Sequence, residues 1–405
     1  MSRIRELSEK LWQGEVRAED AHPFTPLFDL EELGTGAAFV SSFANSTALA
    51  TGDGLVLFDT GAAQFVPMAH QLVRRWSPAP LHTAVFTHGH IDHVAGVELY
   101  EAGRPARVIA HAAVPARFER YRLTGGYNAC INSRQFGTKV AWPAQFRAPD
   151  VVYTDALTVE VGGVAIELRH ARGETDDHTW AWIPSHRLLV TGDLFIWATP
   201  NAGNPQKVQR YPREWASALR TMSALGAETL CPGHGVPIFG ADRVRRALDE
   251  TAELLESLVE QTLALMNAGA RLDDVLASVA APPHLLARPY LRPIYDDPEF
   301  IVRNTWRLYG GWYDGDPSHL KPARAAALAR ELASLAGGAA VLATRATELA
   351  AAGDLALAAH LAETAHLAAP EDPDIKRARA AIYDLRAHAE TSLMARGIFA
   401  AAARD

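Results

Sequence analysis

Four side chains able to hold a metal stand within six residues, His88, His90, Asp92 and His93, in the run Thr87-His88-Gly89-His90-Ile91-Asp92-His93-Val94-Ala95-Gly96. The run directly follows the apolar stretch TAVF, which places it in a loop leaving a strand. Imidazole and carboxylate together suit Zn²⁺, and alternating loop positions can aim one pair at one ion while the next pair faces a second. An exposed polar turn with fortuitous histidines is the rival reading, but His-x-His-x-Asp-His is far more specific than a lone histidine.

A loop of this kind needs rigid elements beneath it. From Ala37 to about Gly240, short apolar runs (AAFVSSF, GLVLFD, TAVFTH, RVIAH, VAIELRHA, RLLVTGD) recur between turn-forming residues and read as strands. Segments with helical spacing, PMAHQLVRRW and PREWASALRTMSAL, lie between some of them, so an α/β core is expected. After about Asp242 the pattern becomes helical, first in RVRRALDETAELLESLVEQTLALMNAGA and then in the alanine-rich stretch from Pro322 to Ala369. Gly353 and Pro370 divide that stretch into paired helices that faintly resemble a tetratricopeptide unit, without a repeat that makes an array. The expected division is a catalytic domain over 1–241 and a helical domain over 242–405. Near 289–322 lies a connector dense in Pro, Gly, Tyr and Trp, for which aromatic packing between domains is the plain explanation.

Length and composition bound what such a chain can do. Its 405 residues exceed the usual size of one domain, and 48% hydrophobic with 21% charged residues is ordinary globular composition. A net charge of −8 without any basic run disfavours nucleic acid as a partner. The start has charges scattered through it and no apolar stretch reaches spanning length, so a cytoplasmic protein without a membrane span is expected. Cys130 and Cys231, the two cysteines, are too few for a disulfide framework.

The histidine run resembles the signature of the metallo-β-lactamase superfamily. That resemblance implies an αββα sandwich and further ligands in the order in which this sequence offers Gly173-Glu174-Thr175, Gly192-Asp193 and Pro232-Gly233-His234-Gly235. Most of the superfamily has histidine where Glu174 stands; glutamate there resembles the type III alkyl sulfatases. The stretch from PYLRPIYDDPEF to GGWYDGDPSHLKP resembles the segment leading into the alkyl sulfatase dimerisation domain. That branch usually has Glu where Asp193 stands and carries a further C-terminal lipid-carrier-like domain, which is not expected here.

The resemblance implies two zinc ions per chain. His88, His90 and Glu174 would hold the first, Asp92, His93 and His234 the second, and Asp193 would bridge them, with Asp92 and Asp193 as the catalytic carboxylates. If Glu174 is instead a surface group beside Asp176 and Asp177, His170 or His178 would be the third ligand of the first ion. With Glu174 as ligand, Asp177→Asn is expected to do little. Metal-bound hydroxide would then cleave an alkyl or related organic sulfate ester, by attack at carbon or at sulfur. The same constellation serves hydrolases of thioesters, lactones and phosphodiesters. The non-helical stretch PNAGNPQKVQRYPREW would lie beside the metals. There Asn201, Asn204, Lys207, Gln209 and Arg210 offer donors to an anionic ester, and His178 is placed on the substrate side. A homodimer through the helical domain is the implied assembly.

Overall fold

The computed structural model describes residues 2–34 and 36–404. Two sheets carry the first part of the chain. The first holds β1 (Asp29–Gly34), β2 (Ala37–Ser41), β3 (Ser46–Thr51), β4 (Gly54–Phe58), β5 (Leu81–Val85), β6 (Arg107–His111) and β7 (Val151–Tyr153), in that order. Strands β1 to β4 pair antiparallel through short turns, whereas β4 to β7 pair parallel, each step needing a crossover. The second sheet has the order β13-β12-β11-β10-β9-β8, from β8 (Ala156–Val161), β9 (Val164–His170), β10 (Thr179–Ile183), β11 (Leu188–Ile196), β12 (Thr229–His234) and β13 (Ile238–Phe239). Its one parallel pair, β11 with β12, is joined through the helix Pro212–Ser223.

Burial explains why the sequence signals differ from strand to strand. Every residue of β2, β4, β10 and β11 is buried, so these strands read as mostly apolar runs, β11 interrupted by Thr191, Gly192 and Asp193. The edge strand β8 alternates exposed and half-buried positions instead. Helices flank the sheets, among them Val66–Trp76 and Pro212–Ser223, both with proline in the first turn, where a missing N–H costs nothing. The result is the αββα sandwich.

The chain divides into two compact units, one of 1–125, 143–270 and 274–311, the other of 126–142, 271–273 and 312–405. The compact units do not divide at the boundary expected at 241/242. The sequence changes there from strand to helix, but the helix Ala241–Asn267 packs on Pro212–Ser223 and its buried face (Val244, Leu248, Leu255, Leu258) belongs to the first unit. Much of the aromatic connector belongs to that unit too, including the helix Pro298–Gly310.

The second unit is helical. Its helices Ala339–Ala351, Leu355–Ala368 and Pro373–Ala389 pack through small side chains, with Ala346, Ala358, Ala359 and Ala362 around Ile382. Gly353 turns the chain at φ +90° and Pro373 opens the following helix. Gly397 lies against the Gln135 backbone, with no room for a Cβ, which explains why 126–142 joins this unit. No single helix among the described residues is long and apolar enough to cross a membrane; only Ala325–Ala336 with Ala339–Ala351 reach that length together, bent by 86°.

The β8–β9 hairpin closes through Gly162 and Gly163, both at positive φ, the geometry of a tight two-residue turn. Gly162 also sits on the β3–β4 turn, donating its N–H to Asp53 Oδ2 at 2.8 Å. A Cβ on Gly162 would overlap the Gly52 backbone, whereas one on Gly163 would meet nothing. Gly162→Ala is therefore expected to cost about 1–3 kcal/mol in chemical denaturation, and clearly more than Gly163→Ala. Equal costs would show that the two turns do not touch.

Candidate metal centre

The candidate ligands come from four structural segments. His88, His90, Asp92 and His93 follow β5, Glu174 lies in the β9–β10 turn, Asp193 stands inside β11, and His234 ends β12. The β11–β12 register shifts on both sides of Gly192, which lies at φ +51°. A Cβ there would come within 2.8 Å of Thr87 and His178, so only glycine lets the strand kink and turn Asp193 toward the histidines. Gly233 has the same role from β12, since a Cβ on it would fall on Asp193 Oδ1.

These side chains form two adjacent clusters that could each hold a metal ion: His88, His90, Glu174 and Asp193, and Asp92, His93 and His234. Asp193 Oδ2 is 3.7 Å from His88 Nε2 in the first cluster and 3.4 Å from both His93 Nε2 and His234 Nε2 in the second. His234 Nε2 is 3.5 Å and His93 Nε2 3.7 Å from Asp92 Oδ2. Ligand separations of about 3.3–3.5 Å are the edges of a tetrahedron around an ion bound at about 2.0–2.2 Å. Asp193 therefore stands as a corner common to both clusters.

Hydrogen bonds on the far side of each ring aim its lone pair inward. His234 Nδ1 donates to the Phe43 carbonyl at 2.5 Å and His93 Nδ1 to Asp59 Oδ2 at 2.7 Å. Thr87 Oγ1 donates to Asp59 at 2.7 Å, so it accepts from His88 Nδ1 at 3.0 Å. In all three rings this leaves Nε2 without a proton and turned toward the other ligand side chains, His88 Nε2 lying 2.8 Å from His90 Nδ1. His93 Nε2, Glu174 Oε2 and Asp193 Oδ1 are buried yet take no hydrogen bond, which is the signature of atoms built for a different partner.

The electrostatics agree. Burial holds His88 and His90 well below the usual imidazole range. Burial, followed by the charge of Asp193, lifts Glu174 well above the usual carboxylate range. Burial would raise Asp193 as well, but the imidazoles of His234 and His93 hold it well below that range. Against the same desolvation, Asp193, Asp59 and Asp92 hold His93 well above its ordinary value. A cluster in which one carboxylate is ionised at its neighbour's expense lacks positive charge, which divalent ions supply.

Residues 41–234 match the profile of the metallo-β-lactamase superfamily, and 271–405 that of alkyl sulfatase dimerisation. The match to the metallo-β-lactamase superfamily covers a little under half of the chain. It is similar to a linear primary-alkylsulfatase of Pseudomonas sp., 27% identical over 315 residues that cover 71% of this chain and 59% of that protein. An (R)-specific secondary-alkylsulfatase of Pseudomonas sp. is 28% identical over 312 residues, 69% of this chain and 47% of that one. The solved structure of the stereoselective inverting sec-alkylsulfatase Pisa1 from Pseudomonas sp. superimposes with a TM-score of 0.85 at 24% identity, covering 93% of this chain and 65% of that chain, a likeness of fold. The chain thus spans between 47% and 59% of the length of the two curated relatives.

Glu174, rather than His170 or His178, completes the first cluster. His170 donates from Nδ1 to the His178 carbonyl and stacks on His111 at 3.7 Å, in neither cluster. His178 accepts the Asp193 backbone N–H on Nε2 at 3.1 Å and stacks on His88. It is fully buried, and burial pushes it down to about 3. The substrate-side place expected for His178 is thereby corrected: the ring has no solvent-facing edge and holds the Asp193 backbone instead.

In the loop expected to bind an anion, most of the donors have partners within the chain. Asn201 donates from Nδ2 to Glu174 Oε1, and Asn204, also buried, donates to Asn201 Oδ1 at 3.4 Å. Arg210 is buried, with Nη1 on the Glu174 carbonyl and 3.4 Å from its Oε1. Gln209 is spent on Asn304 and Arg307. Asn201 and Arg210 thus bond Glu174 directly, and Asn204 bonds Asn201. Lys207 differs, being half-buried; burial, then the charge of Arg210, pushes its ammonium down to about 7 against the pull of Asp92 and Glu174.

Several residues of the site carry no local signal in the sequence. Asp59, at φ +58°, accepts from Thr87 N and Oγ1 and from His93. Asn45 bonds the carbonyls of Pro232 and Gly235 and so pins the His234 turn. Asp177 is fully buried, pairs with Arg117 Nε at 2.5 Å and accepts the Gly89 N–H at 3.1 Å. The expectation that Asp177→Asn does little concerns metal binding; for stability the change matters, because it leaves the buried Arg117 short of one of its two carboxylate partners.

Two outcomes follow for metal titration by chelator competition. Asp59→Asn is expected to weaken the ion held by Asp92, His93 and His234 about 10–100-fold, since the outer partner orients His93. Asp177→Asn is expected to lower stability by about 3–5 kcal/mol while leaving the ligand set intact. Unchanged second-ion affinity in Asp59→Asn, or unchanged stability in Asp177→Asn, would contradict these roles.

Proposed function

We propose that the chain is a binuclear zinc hydrolase of alkyl or related organic sulfate esters that works as a homodimer. The observation that carries the hydrolytic reading is Asp193 standing as the common corner of two ligand clusters. Zinc suits a donor set of four imidazoles and three carboxylates in tetrahedral spacing. Two such ions, when bound, supply Lewis-acid charge and bring a water's pKa toward neutrality.

The chain's own groups define how substrate approaches. His90 and Asp92 are the ligands with exposed side-chain surface, 20% and 22%, so the open side of the centre is theirs. Lys207 bears electrostatically on Asp92 and Glu174, where its ammonium suits the negative charge of a sulfate monoester. Phe24 packs on His234 at 4.1 Å and on Tyr295 at 4.2 Å, an aromatic wall suited to an organic group. Sulfate esters are favoured over other esters because the similar curated proteins are alkylsulfatases and because Glu174 replaces the commoner histidine.

The test is turnover by zinc-reconstituted protein on a medium-chain alkyl sulfate, a phosphodiester, a thioester and a lactone. Sulfate release is expected to have the highest kcat/KM, and Lys207→Ala to lower it about 10–100-fold through a lost charge-assisted contact. Preference for another ester overturns the substrate reading. Light scattering is expected to give twice the chain mass; a monomer at micromolar concentration contradicts the dimer.

A further inference from the structure

Asp296 lies far in sequence from every ligand and touches none of them. It is completely buried, in the connector just before the helix Pro298–Gly310. Its carboxylate accepts the backbone N–H groups of Gly203 at 2.6 Å, Asp297 at 2.9 Å and Asn204 at 3.3 Å. Burial pushes it up to about 7 even with these three donors opposing the shift. A buried carboxylate is costly, and an amide or an apolar residue would fill this place at less cost if filling were all it did.

What the carboxylate grips is a strained turn. Asn204 stands at φ +27°, a conformation that a non-glycine residue keeps only where its surroundings impose it. The preceding Gly203 is pressed against Phe300 and Ile301 in the first turn of the same helix, where a Cβ would overlap their backbone. The turn is thus fixed between a glycine-only contact on one side and the Asp296 carboxylate on the other. Its two side chains lead to the metal centre, because Asn204 Nδ2 donates to Asn201 Oδ1 and Asn201 Nδ2 donates to Glu174 Oε1. One helical turn further on, Asn304 accepts the Arg210 N–H at 3.3 Å and donates to its carbonyl at 3.0 Å, and Arg210 bears on Glu174.

We propose that Asp296 is a positioning residue for the first metal, acting through the Gly203–Asn204 turn and Asn201 to fix the carboxylate of Glu174. The inference rests on Glu174 being a ligand. It gives the connector a task at the metal centre beyond aromatic packing. Glutamate has a longer, freer side chain than the histidine that usually occupies its position, so its oxygens need outside partners to hold one direction.

The test is cobalt(II) titration of the full chain, read by its visible absorption bands and by chelator competition at each of the two positions. Asp296→Asn is expected to weaken the ion at His88, His90 and Glu174 about 10–100-fold and to leave the ion at Asp92, His93 and His234 within about threefold. Asn201→Ala is expected to match that loss, and the double variant to be no weaker than Asn201→Ala alone, because the two act in series. Should Asp296→Asn not fold, Asn204→Ala keeps Asp296 and its backbone bonds and breaks the same chain one link later, with the same selective loss expected. Equal losses at both positions, no loss in either variant, or additive losses in the double variant overturn the proposal. Wild-type chain that takes up no ion at the first position overturns the metal-centre reading and the inference with it.

Discussion

Glu174 and Asp193 are buried side by side in the first cluster, and Asp193 also stands 3.4 Å from two histidines of the second. Taking carboxylates out of water costs several kcal/mol each, and placing them together adds their repulsion. The imidazoles of His234 and His93 favour an ionised Asp193, but burial keeps His88 and His90 neutral beside Glu174. Two divalent ions relieve the repulsion. The arrangement is therefore a cavity for charge, and the surrounding structure is explained by the need to hold seven ligand atoms at fixed distances until that charge arrives.

Backbone, more than side chain, sets those distances. Asp193 reaches the centre because β11 kinks at Gly192 and β12 leaves space at Gly233. His88 and His90 flank Gly89, where a Cβ would come within 2.8 Å of Arg117. The rings of His93, His88 and His234 are each locked by one bond on the outer edge, to Asp59, to Thr87 and to the Phe43 carbonyl. Asp59 and Phe43 come from the first sheet, His234 and Asp193 from the second, so the centre also ties the two sheets together.

The local part of this design was legible in the sequence. The run from His88 to His93 declares itself because four ligands fall within one loop, and buried strands such as β4 and β11 declare themselves as apolar runs. The acidic β1 and the alternating edge strand β8 gave no comparable signal, since their character comes from pairing partners. Asn201, Asn204 and Arg210 have the right chemistry for an anion, and nothing local reveals that Glu174 and Asp296 already use them. His178 misled for the same reason: its partner, the Asp193 N–H, is brought to it only by the kink in β11. The change of periodicity near Asp242 marks secondary structure, whereas the unit boundary depends on which face of the helix Ala241–Asn267 is covered.

Everything here depends on the two clusters being one binuclear centre with Asp193 between its ions. Anomalous diffraction at the zinc edge, from crystals of zinc-reconstituted protein, measures this directly. The expected result is two peaks about 3.5–4 Å apart, one among His88, His90 and Glu174 and the other among Asp92, His93 and His234, with Asp193 in contact with both. A single peak, or two peaks of which Asp193 touches only one, would contradict it.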